Sequence, residues 1–156
     1  MSPFLPFVLP IAAWVCWSDL SRMKIPNLAV LALLAVYVVV GPFVLPFDTY
    51  LWNYLNFAVV LVIGFILSTS GAGVGAGDSK FAAAMAPFIM VPHAGAFLMM
   101  LGAVTIIAFI SHRMVRSMPV VANSVPHWES IHRKEFPMGL ALTWALVLYL
   151  ALPAFN

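Results

Sequence analysis

Charge is scarce in this sequence. Only 8% of its 156 residues are Asp, Glu, Lys or Arg, while 64% are apolar. A soluble domain carries about 25% charged residues, and a chain this apolar would present far too much hydrophobic surface to water. Cysteine is almost missing as well. Cys16 stands alone, so neither an intrachain disulfide nor a thiolate zinc site can form, and this residue is expected to be a small apolar element of a helix. The apolar residues come in unbroken runs, without the strict alternation of a membrane β-barrel. Also absent are an internal repeat, a P-loop, a dinucleotide fingerprint and a heptad array. The histidines follow no usual ligand spacing, so neither a metal nor a cofactor is expected. The few basic residues are scattered between apolar runs, and no nucleic-acid partner is expected.

What remains is membrane-grade sequence. About 20 apolar residues cross the hydrocarbon core as a helix. The pattern predicts an all-α, polytopic membrane helix bundle, one domain over 1–156, with about six segments. They run over Pro3 to Ser18, Leu28 to Phe47, Tyr54 to Ser70, Phe81 to Val91, Ala94 to Ile110 and Phe136 to Phe155. The fourth is too short to span alone, and is expected to start deep in the protein at a glycine loop. The first residues lack a basic n-region and a small-residue cleavage site, so the first segment is expected to be a retained span.

The charges sort by connection. Arg22 and Lys24 follow the first segment, Lys80 follows the third, and Arg113, Arg116, Arg133 and Lys134 follow the fifth. All 7 Lys and Arg residues thus fall in alternate connections. The positive-inside rule puts that side in the cytoplasm and both termini outside. Asp48 belongs to an outward turn. The stretch from Ser111 to Glu135 is expected to be a solvated cytoplasmic loop, with an interfacial turn near Trp128. Pro119 and Pro126 argue against one continuous helix there.

Only three aspartates and two glutamates occur in the chain. Asp19 ends the first segment, and Asp78 closes the stretch Gly71-Ala-Gly-Val-Gly-Ala-Gly-Asp78. Both fall on the predicted cytoplasmic side. Intramembrane carboxyls are costly and mark function. Two carboxyls about 3 Å apart cannot both ionise readily, so one keeps its proton. The ionised one can take a proton from water, and the protonated one can stabilise a developing oxyanion. Gly75 and Gly77 free the backbone before Asp78 and let an extended peptide approach. The bland alternative is helix packing, because Gly71-x-x-x-Gly75 and Gly73-x-x-x-Gly77 are small-xxx-small patterns. Lys80 is a candidate for contacting lipid phosphate, Asp78 or a substrate. Pro26 ends the basic turn and starts the next helix, with Asn27 behind it.

These elements together resemble the type IV prepilin peptidases, membrane aspartyl proteases with a Gly-x-Gly-Asp motif. That motif stands here as Gly75-Ala-Gly77-Asp78, followed by Ser79-Lys80. The partner element stands as Asp19, Arg22 and Ile25-Pro26-Asn27, and a late Pro137-Met-Gly139 precedes the last segment. The resemblance implies that Asp19 and Asp78 are catalytic. It implies removal of a short basic leader from prepilin or pseudopilin precursors, after a glycine, at the cytoplasmic face of the bacterial inner membrane. No domain with cysteine pairs is present, so the chain resembles the short Flp/Tad-type form without the methyltransferase. Membrane lipids are expected partners, and oligomeric state is left open. Two other functions compete: a small ion-coupled transporter or channel subunit, whose carboxyls relay protons, and a non-catalytic membrane assembly factor.

Overall fold

The apolar runs become helices in the computed structural model, which describes residues 2–71, 73–118, 120, 124–125, 127–133 and 135–155. Among the described residues, seven α-helices position the functional groups: α1 (Leu5–Arg22), α2 (Asn27–Val44), α3 (Phe47–Thr69), α4 (Ala76–Met85), α5 (Ala94–Arg116), α6 (Glu129–His132) and α7 (Met138–Ala151). Short 3-10 turns follow at Ala86–Phe88, Val91–His93 and Pro153–Phe155. No strand occurs among the described residues. Among the described residues, three helical stretches are long and apolar enough to cross a membrane: Asn27–Val44, Phe47–Thr69 and Val91–Arg116. Helix α1 is as long as α2 but carries Ser18, Asp19, Ser21 and Arg22 at its end. At about 1.5 Å per residue, the 14 residues of α7 fall short of a full crossing.

Helix α4 lies inside the bundle, packed on α2, α3 and α7. Its Ser79, Phe81, Ala83, Ala84 and Met85 are buried. Lipid is as apolar as leucine, so helices in a membrane associate by close approach at small residues. The α3–α4 contact works this way. A β-carbon on Gly64 would stand 2.9 Å from that of Ser79, and the Ser79 hydroxyl donates a 3.0 Å bond to the Gly64 carbonyl. The core continues through Val8 and Val15 of α1, Leu33 and Tyr37 of α2, and Ala145 and Leu146 of α7. Helices α3 and α5 turn apolar surface outward, including Trp52, Phe65, Leu98 and Ile107. In a bilayer that surface is solvated by acyl chains.

Side chains satisfy backbone groups near two prolines. Pro42 lies inside α2 and has no N–H for the carbonyl four residues back. That carbonyl, Val38, instead accepts the Tyr50 hydroxyl at 3.4 Å. Gly41 makes room for the Tyr50 ring, which a β-carbon would meet at 2.7 Å. Pro87 lies in the 3-10 turn that follows α4. Beyond it the Asn56 amide donates to the Ile89 carbonyl at 3.2 Å, and the Met90 N–H donates to the Tyr149 hydroxyl at 3.1 Å.

Several helix ends differ from the expected ones. Helix α3 starts at Phe47, so Asp48 lies in its first turn instead of an outward loop. A carboxylate there complements the helix dipole. Helix α5 continues past Ile110 to Arg116, taking in part of the expected polar loop, with Arg113 and Arg116 in its last turn. Helix α4 begins at Ala76, so Asp78 and Lys80 are helical. The glycines before it are not a helix-packing stripe. Gly71 and Gly73 have φ of 77° and 74°, and a β-carbon on either would touch nothing within 4 Å. Pro119, Pro126 and Lys134, all invoked in the reading of the last loop, lie outside the described residues.

Candidate active site

Asp19 sits in the last turn of α1, and the chain stops the helix just beyond it. Met23 adopts a left-handed conformation, φ 52°, and its N–H closes on the Asp19 carbonyl at 2.9 Å. The Ser18 hydroxyl donates to the Lys24 carbonyl at 2.8 Å, which pins the basic turn against the helix. Pro26 is extended, φ −65° and ψ 133°, and caps α2. Asp19 itself is 4% exposed. Its Oδ2 accepts a 2.7 Å bond from the N–H of Gly139, the second residue of α7. The first amides of a helix have no partner within it and carry the positive end of the dipole. The Asp19 carboxyl therefore occupies the N-terminus of α7.

Asp78 occupies a helix N-terminus too, its own. It is the third residue of α4, whose N-cap is Gly75. Its carboxyl folds back over that cap, where a β-carbon on Gly75 would stand 2.6 Å from Oδ2, and the Gly75 backbone supplies it with a hydrogen bond. This is the acidic arm of a capping box. Ile25 holds the two helix starts together. Its side chain would lie 3.7 Å from a β-carbon on Gly77 of α4, and 3.1 Å from one on Gly139 of α7.

Both carboxyls line one cavity of about 560 Å³, and Asp19 feels the charge of Asp78. Of the residues singled out in the sequence, Asp19, Asp78, Gly75, Gly77, Lys80 and Asn27 all border this space, while Pro26 does not. The far wall consists of Arg133 and Glu135 from the expected solvated loop, Phe136 and Met138 from the start of the last expected segment, and Lys24 from the basic turn. Arg133 pairs with Glu129 at 2.9 Å, and its carbonyl accepts a guanidinium N–H of Arg116. Those contacts tie the wall to the end of α5. Gly139 was legible as part of Pro137-Met-Gly139, but nothing local marks it as the donor to a residue 120 positions away. The arrangement is a polar chamber with two carboxyls at helix N-termini, three cations and a further acid around it.

A model of the type IV leader peptidase family matches residues 7–112. The chain belongs to the type IV leader peptidase family. The matched stretch holds Asp19, Asp78 and the Ile25-Pro26-Asn27 turn. Beyond it, Arg133, Glu135, Phe136 and Met138 complete the cavity wall, and Gly139 supplies the Asp19 hydrogen bond. No match was found among curated proteins, and none among solved structures. Membership makes this chain a protease of leader peptides, carried on apolar helices suited to a membrane.

Proposed function

We propose that this leader peptidase is a membrane aspartyl endopeptidase that uses Asp19 and Asp78 to activate water against a prepilin-like precursor. The observation that carries the reading is that both carboxyls, one from the end of α1 and one from the start of α4, border a single polar cavity. One carboxylate takes the proton of a water, and the protonated partner donates to the scissile carbonyl as it becomes an oxyanion. The proton belongs to the pair, so neither residue has a fixed role. Gly73 and Gly75 are exposed and border the cavity. With no side chains, they leave an edge that an extended peptide can approach closely.

The substrate in this reading is the short basic leader of a prepilin or pseudopilin, cut after a glycine at the cytoplasmic face of the bacterial inner membrane. The chain takes the short Flp/Tad-type form, with about six spans and both termini outside. The clustering of Lys24, Lys80 and Arg133 around the cavity supports a cytoplasmic mouth. The test is leader removal from a prepilin-like precursor in membranes. Asp19→Asn and Asp78→Asn should each abolish cleavage while the protein still inserts. Normal processing by either variant refutes the two-aspartate mechanism. Proton-coupled uptake in liposomes, lost in Asp78→Asn, would favour the transporter reading instead.

A further inference from the structure

We propose that the groove between α5, α6 and α7 is a binding site for one anionic phospholipid, with an acyl chain along its apolar floor and the phosphate at Arg116. The groove, about 440 Å³, lies apart from the aspartate cavity and is bordered at its inner edge by Leu20 and Leu140. Its lining changes character along α5. Val104, Ile107 and Ala108 come first, then Ser111 and His112, then Arg116, all on one helical face by their spacing of three and four. From Ala108 to Arg116 the helix rises about 12 Å. An apolar stretch leading to a cation over that distance matches the layout of a phospholipid.

Two observations favour this occupant. First, charge is complementary, since Arg116 lines the groove and no Asp or Glu does. Its contact with the Arg133 carbonyl uses part of a guanidinium that has five N–H donors. Second, Ser130 lines the same groove and is 1% exposed, yet its hydroxyl has no hydrogen-bond partner among the described residues. A buried hydroxyl without a partner is costly, and a phosphate or ester oxygen would supply the missing acceptor. Trp128 closes the polar end, packed edge-on against Trp17 at 5.3 Å, where interfacial aromatics are favoured.

The test counts lipids on the intact protein. Purified protein is equilibrated in bilayers of mixed phosphatidylglycerol and phosphatidylcholine, extracted into detergent, and weighed by native mass spectrometry. Wild type should retain one phosphatidylglycerol in preference to phosphatidylcholine. Arg116→Gln should lower that retention about fivefold, the effect of one basic residue at an anionic surface. Ala108→Trp should fill the floor and expel the lipid. Arg113→Gln, in the same helical turn but outside the groove, should behave as wild type. Equal retention of the two lipids, or equal loss in Arg113→Gln and Arg116→Gln, overturns the site. So does an Ala108→Trp protein that keeps its phosphatidylglycerol but stops cleaving a precursor, which marks a substrate path. If Arg116→Gln does not fold, Ser130→Ala is decisive: about threefold weaker retention is expected for a lost hydrogen bond, and unchanged retention overturns the site.

Discussion

The N–H of Gly139 donates a 2.7 Å hydrogen bond to Oδ2 of Asp19, joining the start of α7 to the end of α1. Only a glycine permits this approach. A β-carbon at 139 would stand 2.8 Å from that oxygen, 3.1 Å from the carboxyl carbon and 3.1 Å from Ile25 Cδ1. The bond holds the carboxyl at the wall of the cavity that Asp78 shares.

Gly139→Ala is therefore expected to displace the Asp19 carboxyl. Overpacking typically costs about 1–3 kcal/mol, and about 1.4 kcal/mol is tenfold in rate. On the proposed mechanism, leader removal should fall roughly 10- to 100-fold while membrane insertion and helix content persist. A cleavage time course beside circular dichroism checks both halves. Cleavage at the wild-type rate would show that Asp19 does not need this position.

The glycines before Asp78 should separate into two kinds. Gly71 and Gly73 are left-handed with open space around them, so alanine brings only backbone strain, roughly 1–2 kcal/mol each. Gly75 has an ordinary φ of −66°, but its β-carbon would collide with Asp78 Oδ2. Gly75→Ala should reduce cleavage far more than it reduces thermal stability. Gly71→Ala should lower the melting temperature at least as much as Gly75→Ala does, with the milder effect on rate. Parallel melts and cleavage assays on the three variants would reveal a reversed order.

Much of this architecture is legible in the sequence. Apolar runs locate α2, α3 and α5, and the two aspartates were placed at one end of the bundle, where they share a cavity. The shifted helix ends have a physical origin. Hydropathy trims a helix where polar residues begin, but backbone hydrogen bonds continue wherever the side chains can reach headgroups or water. Arg113 and Arg116 therefore extend α5, and Asp48 opens α3. Asp78 and Lys80 lie in α4 for the further reason that a glycine cap starts that helix before its apolar run. The wall of Arg133, Glu135, Phe136 and Met138 was not legible as part of the site, because nothing local ties these residues to Asp19 or Asp78. It becomes part of the site through the α5 contact of Arg116 and the docking of α7 on α1.

Close packing of α3 on α4 predicts a stability effect without a direct chemical one. Gly64→Val would drive a branched side chain into Ser79, whose β-carbon is 2.9 Å from the position of the first added atom. It would also displace the hydroxyl that bonds the Gly64 carbonyl. A loss of about 1–3 kcal/mol is expected. Ser79→Ala removes only the hydroxyl's contacts with the Gly64 and Gly75 carbonyls, and buried polar contacts between membrane helices average about 0.6 kcal/mol. Unfolding in mixed micelles should rank Gly64→Val well below Ser79→Ala. Equal stabilities would mean that the helices are not in contact at this point.

The Pro42 break makes a sharper prediction, because two residues share one carbonyl. Pro42 denies Val38 its helical N–H, and Tyr50 donates its hydroxyl there instead, while also meeting the Tyr54 hydroxyl at 2.6 Å. Tyr50→Phe should cost up to about 1.7 kcal/mol, the upper range for such bonds in a membrane. Pro42→Ala gives Val38 back an N–H four residues on, so the carbonyl no longer depends on Tyr50. In that background Tyr50→Phe should cost less, because only the Tyr54 contact remains to be lost. A double-mutant cycle read by reversible unfolding isolates the difference, and contacting residues typically couple by at least about 0.5 kcal/mol. Strict additivity would mean that the Val38 carbonyl draws nothing from Tyr50. Coupling of the expected sign would assign the tyrosine a structural task at the end of α2, which explains why a β-carbon at Gly41 is incompatible with the ring that rests on it.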